Sequence, residues 1–302
     1  MSIEIYYFSG TGNTLAVARG VAEQTRASLT SIPSLMGRET ISSTAEAIGL
    51  FFPVYHKGIP LILKRFVGKM ESLEGQYVFA VYTYGDTPAF AARDLGRLIE
   101  ERGGRLAAGF GVQMPYNYIT PSPVLRGFFQ SFVLREIPPE EQQALFGRAK
   151  DSVVSIAESI AAREVGSFTT GADVATRLAD RIGLYETLGK WAWLRIGGVR
   201  EPTEMSFLES RQLMDRAFNV DETCTGCGVC ARACPVSNIE MTYDPERSHW
   251  VPTWQQGCEQ CFACLQWCPE EALQFGGNTS GGKRYHHPEV TLADMVRAAE
   301  RV

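Results

Sequence analysis

The spacing of the cysteines constrains this chain more than any other feature. All eight cysteines of the 302-residue sequence lie between positions 224 and 268. They form two runs, each with the spacing C-x2-C-x2-C-x3-C and each followed by proline, at Cys224, Cys227, Cys230 and Cys234 and again at Cys258, Cys261, Cys264 and Cys268. This repeat predicts two sites of the same kind, built from neighbouring loops.

The spacing is typical of a pair of [4Fe-4S] clusters in which the fourth cysteine of each run binds the other cluster. The predicted ligand sets are therefore crossed: Cys224, Cys227, Cys230 and Cys268 for one cluster, and Cys258, Cys261, Cys264 and Cys234 for the second. Two structural zinc sites are the alternative, although zinc ribbons need neither the middle cysteine nor the two Cys-Pro steps. A disulfide framework suits short secreted domains and fits this long chain less well.

A second motif follows the first predicted strand, which spans residues 3–8. Its two glycines and three hydroxyl side chains precede an apolar helical stretch, at Ser9, Gly10, Thr11, Gly12, Asn13 and Thr14. Amides and hydroxyls at a helix N-terminus bind phosphate. The absence of a lysine excludes a Walker loop, and Leu15 replaces the third glycine of a dinucleotide fingerprint. The motif resembles the FMN-phosphate loop of flavodoxins, and an ordinary capped turn is the alternative.

Three further predicted strands, at residues 48–52, 77–82 and 107–113, end in loops that carry aromatic and polar groups. In an open α/β sheet the ligand lies at these carboxyl ends. We therefore expect the loops to border the flavin ring, through Pro53, Val54, Tyr55, His56 and Gly58, then Thr83, Tyr84, Gly85 and Asp86, and finally Tyr116, Asn117 and Tyr118. Tyr55 and Tyr84 could instead be surface tyrosines. His56 could move a proton near the flavin or be a surface hydrogen-bonder.

Strands and helices alternate through the first 165 residues, with a weaker strand signal at 29–32 and helical stretches at 61–70, 89–102 and 140–163. Alternation of this kind predicts a doubly wound α/β fold, a five-stranded parallel sheet of order 2-1-3-4-5.

Beyond residue 165, apolar residues recur at intervals of three or four positions, at Val174, Leu178, Ile182, Tyr185, Leu188 and Trp191. This stripe predicts a helix packed on the domains; an oligomer seam or a membrane-surface helix are the alternatives.

Charge is distributed unevenly along the chain. Residues 215–280 contain nine acidic and three basic side chains, so this segment has a net charge of −6, whereas the whole chain has −5. Each oxidised cluster with four thiolates adds about two more negative charges. We therefore expect an acidic face that attracts a basic redox partner and not nucleic acid. No apolar run reaches membrane-spanning length and no leader pattern opens the sequence, which favours a reducing cytoplasm.

The chain resembles the flavodoxin-ferredoxin fusion family. The most specific pieces are the segments 8–14, 52–55, 114–118, 234–239 and 284–288. The resemblance implies an FMN-binding flavodoxin-like domain at residues 1–165, a helical linker at 166–214, an α+β ferredoxin domain with two [4Fe-4S] clusters at 215–280, and a tail at 281–302. Residues 242–256 exceed the length that a minimal ferredoxin needs, and their Trp250 and Trp254 could form a cap or a partner surface.

Two functions are consistent with these motifs. The first is a low-potential electron carrier that relays electrons between the clusters and FMN and docks with other redox proteins. The second is a flavin-dependent reductase of a small substrate, in which residues 115–138 would cover the ring. No acid-base or nucleophile constellation accompanies the cofactor motifs, so we assign no catalytic residue and favour the carrier.

Overall fold

The computed structural model describes residues 1–119, 137–200, 204–276 and 279–300. Its N-terminal part contains a parallel five-stranded sheet in the order β2-β1-β3-β4-β5, which confirms the predicted order. The strands are β1 (Ile3–Tyr7), β2 (Ser28–Ser31), β3 (Ala47–Pro53), β4 (Tyr77–Tyr84) and β5 (Leu106–Gln113). Because neighbouring strands are parallel, the loops that follow β1, β3, β4 and β5 meet at one edge of the sheet.

The central strands are buried on both faces, as expected for a parallel sheet covered by helices. Leu50, Phe51 and Phe52 are consecutive residues of β3 and have no exposed surface. Full burial of side chains of this size stabilises the fold by about 1.5–3 kcal/mol each. The surrounding helices are α1 (Asn13–Thr25), α2 (Ile32–Leu35), α3 (Leu61–Lys69), α4 (Ala91–Glu100) and α5 (Pro139–Ala161). Helix α1 packs beside α5, and α3 packs beside α4.

The linker is broken into short helices, in contrast to the single helix that the stripe predicts. It contains α6 (Val174–Arg181), a π-helix (Tyr185–Gly189), α7 (Lys190–Ile196), α8 (Phe207–Ser210) and a 3-10 helix (Arg211–Ala217). The stripe residues Val174, Leu178, Ile182, Leu188 and Trp191 are 57–79% exposed, so the prediction that they pack on the domains is wrong. The π-helical turn changes the helical phase. Other side chains, Leu194, Val199 and Met214, enter the core instead.

The cysteine-rich part is built from two antiparallel strand pairs and two short helices. Strand β6 (Phe218–Val220) pairs with β9 (Leu273–Phe275), and β7 (Ile239–Asp244) forms a hairpin with β8 (His249–Trp254). The helices, α9 (Val229–Ala233) and α10 (Ala263–Gln266), each follow one cysteine loop. Phe218, Phe262 and Phe275 pack their rings together in the core of this part. The long segment 242–256 contains most of the β7–β8 hairpin.

The tail returns to the N-terminal sheet and ends in α11 (Leu292–Ala299). Met295 and Ala298 are buried in the core of the sheet domain, and Arg19 forms an ion pair of 2.7 Å with Asp294. Thr291 and Asp294 also cap α11 through a reciprocal pair of hydrogen bonds. Among the described residues, no helix has both the length and the apolar character needed to cross a membrane.

Candidate functional site

The loop between β1 and α1 folds into a turn whose geometry requires glycine. Gly12 has φ +95°, a left-handed conformation at the N-cap of α1. Its N–H donates to Ser9 Oγ over 3.1 Å. Thr14 Oγ1 lies 2.8 Å from Thr83 Oγ1, so the loop is hydrogen-bonded to the end of β4. The turn thus has a defined shape in which hydroxyls and amides face the carboxyl edge of the sheet.

A cavity, which we call the ring cavity, opens at this edge. Thirteen of the predicted FMN residues line it: Ser9, Gly10, Thr11, Asn13, Thr14, Pro53, Val54, Tyr55, Thr83, Tyr84, Gly85, Tyr116 and Asn117. Met114 and Pro115 complete the lining, and neither was predicted. The hydroxyls come from the first loop and the aromatic rings from the later ones. A phosphate at the first loop and a flat ring between the tyrosines fit this distribution of groups.

Five predicted residues lie outside the lining of the ring cavity, namely Gly12, His56, Gly58, Asp86 and Tyr118. The ring of His56 packs 4.6 Å from Trp193 and 5.6 Å from Phe207, between centroids. Tyr118 packs against Trp193 in the same cluster. The residue as a whole keeps exposed surface, but desolvation of the packed ring, followed by repulsion from Arg211, lowers the pKa of His56. His56 is therefore neutral at pH 7 and packs with the linker.

The eight cysteines surround two separate cavities in the predicted crossed sets. The near cluster cavity, named for its position beside the ring cavity, is lined by Cys234, Cys258, Cys261 and Cys264. The far cluster cavity is lined by Cys224, Cys227, Cys230 and Cys268. Backbone N–H groups already point at sulfur: Asn238 N–H donates to Cys234 Sγ and Gln260 N–H donates to Cys258 Sγ, both over 3.2 Å. Such bonds stabilise negative charge on a cluster.

Two further observations bear on what these cavities could hold. Within the described ranges, no three or more His, Cys, Asp or Glu side chains are arranged to hold a single metal ion. Trp254 lines the near cluster cavity, and its buried indole N–H has no hydrogen-bond partner among the described residues. A buried donor without a partner costs about 1–3 kcal/mol. A cluster sulfide in the cavity could accept this hydrogen bond, so the donor set fits a [4Fe-4S] cluster.

The ring cavity and the near cluster cavity share a wall. Asn117 lines the ring cavity, and its Nδ2 donates to the carbonyl oxygen of Cys261 over 2.9 Å. A Cβ added to Gly10 would lie 2.7 Å from the same oxygen. Only glycine therefore allows the loop of residues 9–14, which we call the phosphate loop after its predicted role, to approach this closely. Trp267 Nε1 donates to the carbonyl oxygen of Gly10 over 3.2 Å. One layer of residues therefore separates the two sites.

The tail holds the phosphate loop from the other side. His287 N–H donates to the carbonyl oxygen of Thr11 over 2.8 Å, and the Tyr285 hydroxyl donates to Asn13 Oδ1 over 2.5 Å. Asn13 Nδ2 in turn donates to the carbonyl oxygen of Pro115. The sequence marked segment 284–288 only as part of the resemblance. Its role as a support of the phosphate loop is visible only in the folded chain.

Sequence reasoning also missed a buried charge network behind the ring cavity. Arg211 is buried, and its guanidinium donates to the carbonyl oxygens of Tyr55 and Ile59 over 3.2 and 3.3 Å. Glu259, next to Cys258, accepts hydrogen bonds from Arg65 and from the N–H of Ile62. Burial raises the pKa of Glu259, and Arg65 opposes that shift. These contacts join the linker to the loop after β3, and a cysteine loop to helix α3.

A family model described as a 4Fe-4S dicluster domain matches residues 216–276, which include all eight cysteines. The N-terminal sheet has the flavodoxin strand order 2-1-3-4-5. The chain is a fusion of a flavodoxin-like domain and a 4Fe-4S dicluster domain. The dicluster match lies inside the cysteine-rich part described above.

Solved structures similar to the fusion include three flavodoxins. One is from the domain Archaea, with 16% identity, a TM-score of 0.33 and coverage of 53% of this chain and 99% of its own. The two-electron reduced flavodoxin of Megasphaera elsdenii has 16% identity, a TM-score of 0.30 and coverage of 52% and 98%. That of Streptococcus pneumoniae has 14% identity, a TM-score of 0.31 and coverage of 52% and 99%. Among curated proteins, no match to the fusion is found.

Proposed function

We propose that the protein relays electrons between FMN in the ring cavity and two [4Fe-4S] clusters, and exchanges them with other redox proteins. The single observation that supports this most strongly is the shared wall, in which Asn117 donates to the carbonyl oxygen of Cys261. A cluster ligand is thereby one residue away from the lining of the flavin site. Flavin accepts an electron pair or single electrons, whereas each cluster accepts one at a time.

In this proposal the chain supplies binding and orientation. Ser9, Thr11 and Thr14 hold the terminal phosphate through hydroxyls and loop amides, without a cation. The later loops border the ring, with Tyr55 and Tyr84 beside it. Each crossed set of four cysteines holds one cluster, so the fourth cysteine of each run also ties the two sites together. The order along the relay is ring cavity, near cluster cavity, far cluster cavity.

The partners in this proposal are basic redox proteins. The cysteine-rich segment 215–280 has a net charge of −6, and two oxidised clusters would make it more negative by about four charges. Attraction between opposite charges speeds the encounter of two proteins and favours correct orientation. Cluster assembly needs reduced cysteines, so the proposal includes a reducing cytoplasm.

The second candidate, a flavin-dependent reductase, would be favoured by a charged side chain over the ring that binds a substrate or supplies a proton. No His, Cys, Asp, Glu, Lys or Arg is among the described residues that line the ring cavity. Most of the predicted cover at 115–138 lies outside the described residues, since 120–136 are not among them. The lining as described favours the relay.

The relay is tested on protein purified without oxygen. We expect about eight iron atoms, eight acid-labile sulfides and one FMN per chain. Stoichiometric zinc without broad visible absorption would reject the cluster assignment, and FAD in place of FMN would reject the assigned phosphate loop.

Internal transfer is then followed by stopped-flow reduction with dithionite, with the flavin and cluster bands recorded separately. Cys227→Ala should remove the far cluster, and Cys261→Ala should remove the near one. We expect the loss of either cluster to slow flavin reduction and the loss of the near cluster to slow it more, because that cluster is adjacent to the ring. Equal flavin reduction rates in wild type and both variants would exclude the relay.

A further inference from the structure

We propose that the β7–β8 hairpin and the rim of the far cluster cavity form the docking surface for a redox protein with a basic rim around an apolar contact. This docking surface consists of Tyr243, Trp250, Glu222 and Glu270 around the exposed Cys227. The inference deepens the proposed relay and rests on it. The partner would exchange single electrons with the far cluster, so the near cluster would serve the flavin.

The first support is the unequal exposure of the two cluster sites. At the far cluster cavity, Cys227 is exposed and Cys224 is half-buried. At the near cluster cavity, Cys234, Cys261 and Cys264 are buried. The near cluster cavity is also covered on one side by residues that line the ring cavity, such as Asn117. A protein that approaches from solvent therefore comes nearest to iron-sulfur chemistry at Cys227.

The second support is the position of the hairpin. Met241 of β7 lines the far cluster cavity, and the backbone of Gly226 approaches β8 so closely that an added Cβ would lie 2.7 Å from the carbonyl oxygen of Trp250. Tyr243 is two residues beyond Met241 and therefore on the same face of the strand. Trp250 is paired directly with Tyr243, so it shares that face. The two aromatic rings thus extend the wall of the cavity outward.

These rings are exposed although they are large and apolar. Tyr243 and Trp250 are each 54% exposed, and their rings meet edge to face with centroids 6.0 Å apart. Aromatic residues are enriched in the cores of protein interfaces and depleted elsewhere on surfaces, and they dominate binding energy where they are buried by a partner. A cross-strand pair would stabilise the hairpin wherever it lay. Its position beside the most exposed cluster ligand is what points to docking.

The third support is the charge of the rim. Glu222 and Glu270 are exposed and lie two residues from the ligands Cys224 and Cys268. Glu270 also lines the far cluster cavity. The basic side chain on the hairpin, Arg247, donates to the carbonyl oxygens of Val220 and Asp221 and is held against its own domain. The rim therefore presents carboxylates to solvent around an aromatic centre, which complements a basic partner.

The experiment uses the full-length protein with its cofactors, reduced chemically and mixed with excess oxidised cytochrome c as a cationic protein probe. Each electron that leaves a reduced cluster converts one ferric haem to ferrous, so electrons balance one to one. Ferricyanide, a small anion, is the control acceptor that needs no protein docking. Iron, sulfide and FMN contents are measured for every variant.

The aromatic centre is tested with two matched substitutions. Trp250→Thr removes the ring from the docking surface, and Trp191→Thr removes a ring that is 58% exposed on the linker. We expect Trp250→Thr to slow transfer to cytochrome c about tenfold and leave ferricyanide unaffected, because a lost hot-spot side chain costs about one order of magnitude in affinity. Trp191→Thr should match wild type with both acceptors.

The rim is tested in the same way. The double variant Glu222→Gln, Glu270→Gln should slow transfer to cytochrome c at low salt at least about threefold and flatten its salt dependence. The control double variant Glu101→Gln, Glu158→Gln removes two exposed carboxylates from the sheet domain and should change neither. Equal effects in docking and control variants, or none in either, would overturn the docking surface. A protein without clusters or FMN would instead overturn the relay itself.

Discussion

Trp254 offers the sharpest test of the near cluster site. Its indole stacks on Phe218 with ring centroids 5.4 Å apart, lines the near cluster cavity, and has a buried N–H without a partner among the described residues. If a cluster sulfide accepts that N–H, the bond is stronger in the reduced state, because the cluster is then more negative. Trp254→Phe keeps a stacked ring and removes only the donor, so it should lower the reduction potential of the near cluster.

The size of the shift follows from one hydrogen bond. A bond to a charged group is worth about 1.5–3 kcal/mol. If about half of it is gained on reduction, the variant loses about 1 kcal/mol of stabilisation of the reduced cluster. For a one-electron couple, 59 mV corresponds to a factor of ten, or about 1.4 kcal/mol, so the expected shift is about −40 mV.

The measurement is an anaerobic redox titration followed by electron paramagnetic resonance, which separates the two clusters. Trp250→Phe is the matched control, because Trp250 lies on the same strand and is exposed to solvent. We expect this control to leave both potentials within about 10 mV of wild type. A similar shift in both variants, or a shift confined to the far cluster, would refute the assigned hydrogen bond.

Three other outcomes are expected. Thr11→Ala with Thr14→Ala should weaken FMN binding by two orders of magnitude or more in fluorescence titrations, since each bond to phosphate is worth about 1.5–3 kcal/mol; Thr25→Ala, distant from the loop, is the control. Trp267→Phe removes the donor to the phosphate loop and should raise the FMN dissociation constant about two- to tenfold, and an unchanged value would contradict that support. Burial lowers the pKa of His287 to about 4, so the folded chain keeps it neutral. The unfolded chain takes up the proton below about pH 6.5, so about 2 kcal/mol of stability should be lost by pH 5, and His287→Gln should abolish that part of the pH dependence in urea unfolding.

Local patterns predicted the parts of this protein whose chemistry is local. The sheet order followed from alternating strands and helices, and the observed strands differ from the predicted ones by one or two residues at their ends. The crossed cysteine sets were also predictable, because thiolates two residues apart can reach one cluster only from a tight loop. The turn between β1 and α1 was predictable for a similar reason, since its hydroxyls, glycines and helix start are consecutive.

Contacts between distant parts of the chain were not predictable. Arg211 lies more than 150 residues from Tyr55, yet it donates to the carbonyl oxygen of that residue. His56 belongs to a predicted ring loop, but its ring packs against Trp193 and Phe207 and does not line the ring cavity. The linker stripe has helical spacing, but periodicity alone does not say whether a face meets a core or solvent. Each of these outcomes depends on which surface another segment brings to the same place.

The sequence by itself determined how the cysteines group around two cavities and the order of the sheet, because these depend on spacing and composition over short stretches. Only the tertiary structure decided that the cavity of Cys234, Cys258, Cys261 and Cys264 lies beside the ring cavity. It also decided that the tail supports the phosphate loop through His287 and Tyr285. The physical reason is that packing of two domains is selected by the fit of whole surfaces, and no short stretch of sequence contains both sides of that fit.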